Sequence, residues 1–204
     1  TESTANMAIT LILAVTRRIV EGDRLVRRGE WKGFSLDFMI GSEIRGRQLG
    51  IVGFGRIGQA VAEKARQFGM EIAYHNPSAR SIVGCESMSF DQLLATSDVV
   101  SIHVPLLPQT RHLIDRTALS RMKRSAYLIN TSRAEIVDQA SLKQAVKIKG
   151  VRAGLDVFAD EPEGATGDFN DEIVTLPNVY GTHHIGASTD QAQEAIAAET
   201  VRII

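Results

Sequence analysis

Gly53-Phe54-Gly55-Arg56-Ile57-Gly58 lies between an apolar run and a helical pattern, and no other feature narrows the possible folds of this chain so far. Leu49, Gly50, Ile51 and Val52 read as a buried strand over about 48–53. Ile57, Ala60, Val61, Lys64, Ala65 and Phe68 then recur at helical spacing, and Gly69 stops the helix. A lone G-x-G-x-x-G is weak, but strand, glycine turn and helix in that order is the setting of dinucleotide binding. Gly53 then permits the tight turn, Gly55 lets a pyrophosphate approach the backbone, and Gly58 lets helix and strand pack closely. The free amides and positive end of the helix that opens at Arg56 and Ile57 would face the phosphates.

Further strands are expected at 71–75, 86–89, 98–104, 126–130, 152–157 and near Val179-Tyr180. Helices are expected at 90–95, at 138–147 and from about Thr189. This alternation implies an α/β fold: a Rossmann-type, doubly wound parallel sheet with helices on both faces. A long N-terminal helix over about 3–29 precedes it. Ala8, Leu11, Ile12, Val15, Ile19 and Val20 make its broad apolar face, and Arg17, Arg18, Arg27 and Arg28 lie toward its C-terminal part. The Rossmann core covers about 47–190, so residues 1–204 read as one dinucleotide-binding domain. Trp31, the only tryptophan, sits in the loop Gly29–Gly33.

With 23 basic and 24 acidic side chains well mixed, the net charge of −1 produces no long-range field to favour nucleic acid or an anionic membrane. Met7–Val15 is too short to span a bilayer, and no signal-peptide cleavage pattern follows it. Cys85 is the single cysteine; it excludes an internal disulfide, fits a reducing cytoplasm and reads as an ordinary small residue. No metal-ligating set is read. The chain opens at Thr1-Glu2-Ser3 and ends on the apolar Val201-Arg202-Ile203-Ile204, so a piece of something longer is expected.

Three segments fall at expected strand ends, where an open α/β sheet places its ligands. They are Asn130-Thr131-Ser132-Arg133, Gly154-Leu155-Asp156-Val157-Phe158 with Glu161-Pro162, and Thr182-His183-His184-Ile185-Gly186-Ala187-Ser188-Thr189. With the glycine motif and His103-Val104-Pro105-Leu106, they resemble the D-isomer-specific 2-hydroxyacid dehydrogenases over essentially the whole chain. The phosphoglycerate dehydrogenase and glyoxylate/hydroxypyruvate reductase branches are the nearest in look. The resemblance implies hydride transfer between a nicotinamide cofactor and a small 2-oxo or D-2-hydroxy acid of the glyoxylate, hydroxypyruvate or 3-phosphoglycerate type. It also implies a separate substrate lid that these residues lack, and a two-fold dimer whose N-terminal helices embrace the partner.

Reducing a 2-oxo acid needs a cation for the carboxylate and carbonyl, a proton donor and a hydride carrier. Arg133 offers a planar fork of donors for the first task. A histidine titrates nearest neutrality and suits the second. Chemistry alone does not choose between His183 and His184; the resemblance selects His184, because the family usually carries Pro-His there. By the same resemblance Glu161 holds the imidazole of His184, Asp156 accepts a hydrogen bond from the nicotinamide carboxamide, and Thr131, Ser132 and Gly186 line the cofactor. His103, Val104, Pro105 and Thr110 match its second cofactor loop. On their residues alone, Glu161 reads as one more solvated acid in an acidic loop, and Asp156 almost as readily as a turn or cap residue.

Two departures stand out. An acidic residue about 20 positions past the glycines usually binds the ribose hydroxyls of NAD; Asn76 stands here, with Ser78 and Arg80 nearby. Losing that charge admits a 2′-phosphate, so either dinucleotide fits and NADP is slightly favoured over NAD; a ring of neutral contacts tolerating both is the competing reading. Ala134 replaces the usual glycine after the arginine, so the backbone there must avoid positive φ. A non-catalytic, dinucleotide-sensing protein of the corepressor type is the alternative function. Retention of Arg133, Glu161 and His184 together favours the enzyme.

Overall fold

The computed structural model describes residues 1–78, 82–162, 167–194 and 198. Its centre is a seven-stranded sheet built from β1 (Gln48–Val52), β2 (Glu71–His75), β3 (Glu86–Ser87), β4 (Val99–Ile102), β5 (Tyr127–Asn130), β6 (Arg152–Leu155) and β7 (Val179–Gly181). The strands run in the order β3-β2-β1-β4-β5-β6-β7, and every pairing is parallel. Parallel strands buried on both faces must be apolar throughout. Val99–Ile102 and Tyr127–Asn130 are accordingly buried at every position.

Helices cover both faces. α1 (Glu2–Thr16) and α3 (Arg56–Gln67) lie on one side, where Ala8, Ile12 and Val15 pack with Ile51, Val61 and Ala65. α4 (Phe90–Thr96), α5 (Arg116–Arg121) and α6 (Gln139–Lys149) cover the other, where Leu93, Leu119 and Leu142 meet Val100, Leu128 and Ala153. Strand order reverses between β1 and β4, and an open α/β sheet carries its ligand crevice at such a switch point.

The single helix expected over 3–29 is instead two. α1 ends at Thr16 and α2 (Ile19–Arg27) begins after Arg18, which is left-handed at φ 55°. The cause is tertiary. The Thr16 carbonyl accepts the amide of Ser42 at 2.8 Å, and the Thr16 hydroxyl turns back onto the Ile12 carbonyl at 2.7 Å. With its last acceptor occupied by a crossing segment, α1 cannot continue. α2 leaves the body and is tethered where Tyr180 donates its hydroxyl to Glu21 at 3.0 Å. Burial, and then Glu21, push that phenol up to about 12, so it stays a donor.

α5 has no counterpart in the expected pattern. Asp115 caps it, its carboxylate accepting the amide of Ala118 at 2.8 Å. At the far end, residues 190–194 are helical, with the Thr189 hydroxyl accepting the amide of Ala192. No described helix is long and apolar enough to cross a membrane.

Candidate active site

The glycine turn has the shape its spacing demands. Gly53 sits at φ 92°, and a Cβ there would lie 2.7 Å from the His103 carbonyl, so turn and close approach both require glycine. A Cβ on Gly58 would lie 2.3 Å from the Gly53 carbonyl, whereas one on Gly55, which caps α3, meets nothing within 4 Å. The open space at Gly55 is a cradle at a helix N-terminus, bounded by Arg56 and Ile57, and it fits a dinucleotide pyrophosphate.

Asn76 follows β2 and is turned inward. Its Oδ1 accepts the amide of Phe54 in the glycine turn at 3.1 Å, and its Nδ2 donates to the carbonyl and hydroxyl of Ser78 at 2.9 and 2.8 Å. Both donor hydrogens are therefore spent on Ser78, and the segment is folded so that Ser78 stays exposed beside the turn. Arg80 lies outside the described residues.

Across the switch point, the His103 amide donates to the Val52 carbonyl at 2.7 Å. Its Nε2 meets the hydroxyl of the buried Ser101 at 2.8 Å, while its Nδ1 is enclosed with no protein partner. Burial pushes this imidazole down to about 4, so it is neutral at physiological pH. Val104 and Pro105 lead outward, and the Thr110 hydroxyl donates to the Pro105 carbonyl at 2.6 Å, closing the loop on itself. Thr131 buries a second orphaned atom, its hydroxyl, at the end of β5. Two enclosed polar atoms without partners, on neighbouring strand ends, suit a polar ligand.

The catalytic candidates come from the ends of β5, β6 and β7, which lie side by side. Ser132 ties its hydroxyl to the Ile102 carbonyl at 2.8 Å, and Asn130 donates to the Arg133 carbonyl at 2.9 Å. These bonds fix the backbone that carries Arg133. Its guanidinium is exposed, donates to the Ser132 carbonyl at 2.7 Å and pairs with no carboxylate among the described residues. Ala134 enters a 3₁₀ turn, Ala134–Ile136, with no positive φ.

Asp156 is buried at the end of β6. Its Oδ1 accepts from the Thr182 hydroxyl at 2.7 Å and the Ile185 amide at 2.9 Å, and its Oδ2 accepts the Gly186 amide at 2.7 Å. This carboxylate first of all holds the turn 182–186; a carboxamide contact would come on top of that work. The turn carries His184 at φ 59°, a left-handed backbone that a histidine keeps only where its surroundings impose it. His184 Nδ1 then lies 2.8 Å from Glu161 Oε1. His183, His184 and Glu161 line one cavity of about 770 Å³, bounded also by Phe158, Phe169 and Tyr180 and by Val20 and Arg24 of α2.

Residues 9–186 match the family model described as D-isomer specific 2-hydroxyacid dehydrogenase, NAD binding domain. The chain belongs to that family. Among curated relatives, a glyoxylate reductase of Thermococcus litoralis is 46% identical over 206 residues, which cover 97% of this chain and 61% of the relative. Among solved structures, a D-lactate dehydrogenase of Aquifex aeolicus in complex with NAD and lactic acid superposes with a TM-score of 0.89 at 35% identity. That match covers 99% of this chain and 65% of the other. An acyclic imino acid reductase in complex with NADPH and D-Arg superposes with a TM-score of 0.88 at 31% identity, over 98% of this chain and 62% of that one. The chain thus spans about three fifths of the length of its curated relatives.

Sequence reasoning did not find the anchoring roles of Asn130, Ser132 and Thr182, and it read Asp156 as a turn or cap residue without its partners. Each works through bonds to residues 2–30 positions away, which no local pattern reports.

Proposed function

We propose that the protein is a nicotinamide-dependent reductase of small 2-oxo acids, working in the reverse direction on D-2-hydroxy acids, with Arg133, Glu161 and His184 as its catalytic residues. The observation that carries this reading is the 2.8 Å hydrogen bond between Glu161 and His184 Nδ1, with an exposed Arg133 that has no carboxylate partner among the described residues, on the loops after β5, β6 and β7. A bound nicotinamide dinucleotide supplies the hydride; it fits the cradle of Gly53, Gly55 and Gly58 and the loop His103–Pro105. Arg133 binds the substrate's carboxylate and polarises its carbonyl through charge-assisted bonds. Glu161 holds Nδ1 as the donor, which turns Nε2 toward the reacting oxygen. Protonated His184 then gives its Nε2 proton to the forming alkoxide and recovers it in the oxidative direction. Glyoxylate and hydroxypyruvate are the substrates of choice, a reading supported by curated relatives named glyoxylate reductase. The counterpart of the relatives' remaining length supplies the opposing wall that excludes water.

NADP is used at least as well as NAD. Asn76 places no negative charge where a 2′-phosphate would sit, and its bonds to Ser78 hold a hydroxyl beside that position. The protein as the cell makes it, assayed with glyoxylate, hydroxypyruvate and pyruvate, should give a kcat/KM with NADPH equal to or above that with NADH. A preference for NADH beyond about a hundredfold, roughly 2.7 kcal/mol, overturns the cofactor assignment, and no turnover with any of the three overturns the reaction.

The partner is a second copy of the chain. Trp31 is 67% exposed, and with it Phe34 at 89% and Leu36 at 87% form an apolar arm beyond α2 with no cover of its own. The arm and the outer face of α2 pack against the partner and carry Trp31 toward the neighbouring site, a flat anchor of the kind interfaces favour. Light scattering at micromolar concentration should give twice the 22.2 kDa mass of the chain; a monomer there contradicts it. Well-mixed surface charge and the lone free cysteine support a cytoplasmic location.

A further inference from the structure

Glu161 is not held by its own loop. The segment Phe158–Glu161 leaves β6 and passes through Asp160, left-handed at φ 60°, before Glu161 can face His184. A non-glycine residue in that region is held there by its neighbours. The contact inside the loop is feeble: the Phe158 amide reaches Glu161 Oε2 at 3.4 Å. The firm contact comes from elsewhere. Gln139, the first residue of α6, accepts the Ala159 amide on Oε1 at 3.0 Å and donates through Nε2 to Asp171 Oδ2 at 2.7 Å. Asp171 is itself fixed, accepting the Ile173 amide at 2.7 Å and pairing with Lys143 at 3.0 Å. Burial pushes this carboxyl up, but the Ile173 amide, Lys143 and Gln139 together bring it below the usual carboxylate range, so it remains a charged acceptor.

We infer that Gln139 is a positioning residue for proton transfer: through the Ala159 amide it locks the turn that presents Glu161 to His184. The inference rests on reading Glu161 and His184 as the proton-transfer pair. An amide side chain is required because the position needs an acceptor toward Ala159 and a donor toward Asp171 at once, and the two ends of one Gln supply both. Without it the Ala159 amide loses its partner, Asp160 can relax to an ordinary backbone, and Glu161 moves away from Nδ1. A displacement near 1 Å in such a site costs up to about a hundredfold in rate.

The test compares Gln139→Ala with Lys147→Ala, which removes an ion pair to Glu172 from the same helix without touching the loop. On the 204-residue chain, proton NMR of the His184 Nδ1–H shared with Glu161 should show the low-field resonance lost in Gln139→Ala and kept in Lys147→Ala. In the protein as the cell makes it, Gln139→Ala should lower kcat by roughly tenfold to a hundredfold, with the Kd for NADPH unchanged. The double variant Gln139→Glu with Asp171→Asn exchanges donor and acceptor along the same line and should restore both signal and rate; this arm also decides the matter if Gln139→Ala folds poorly. An unchanged resonance in Gln139→Ala, or no recovery in the double variant, overturns the inference. A wild-type protein inactive on 2-oxo acids overturns the proposed reaction instead, and the resonance comparison still decides the role of Gln139.

Discussion

Replacing His184 by alanine should lower kcat for 2-oxo acid reduction by about 10² to 10⁴, the usual contribution of a positioned acid–base group, and leave dinucleotide binding within a few-fold. The size follows from the arrangement. His184 is the one imidazole on the 182–186 turn whose ring is oriented by a carboxylate, and Asp156 fixes that turn with three hydrogen bonds. The proposed cofactor contacts lie elsewhere, at the glycine turn and the loop after β4, so binding should survive. His183→Ala should cost far less, because that exposed ring has no hydrogen-bond partner among the described residues, whereas His184 is paired with Glu161. Steady-state kinetics on the two variants settle the order: if His183→Ala is the more damaging, the acid–base role belongs one residue earlier and the Glu161 contact is structural.

The sheet was legible because its evidence is local. Glu71–His75 forms at the bounds the sequence suggests, and the buried runs at Val99–Ile102 and Tyr127–Asn130 read as strands on apolar content alone. The helix over 3–29 was misread for the opposite reason: nothing within 17–18 breaks it, and the break is imposed by Ser42, more than twenty residues away in sequence. α5 is a different failure. Asp115 ahead of Arg116-Thr117-Ala118-Leu119 is an N-cap signal in plain view, but a six-residue helix has too little periodicity to register.

In the site, the glycine motif was legible from its spacing: Gly58 is demanded by the Gly53 carbonyl one turn away and Gly53 by its positive φ, while Gly55 leaves open space. Arg133 was reachable from its chemistry at a strand end, Glu161 and the choice of His184 only through resemblance, and the pairing of the last two becomes physical only in three dimensions. Asp156 shows the limit most clearly. Its sequence position suggests a turn or a ligand contact, yet its buried carboxylate is the hub of the turn that carries His184. Gln139 gives no local sign at all, because both of its partners lie twenty or more residues away.

On the function proposed above, these 204 residues should hold the cofactor, and turnover should require a wall that closes over Arg133 and His184. Inside a closed site the charge of Arg133 acts in a low dielectric and the substrate is held against the hydride donor; on an open face neither condition is met. Isothermal calorimetry of the 204-residue chain with NADPH tests this directly, with glyoxylate then added to the same sample and absorbance followed. One dinucleotide should bind per chain, with no oxidation of NADPH above background. Failure to bind contradicts the cradle built on Gly53, Gly55 and Gly58, and turnover in the ordinary enzyme range of about 1–10³ s⁻¹ contradicts the need for a closing wall.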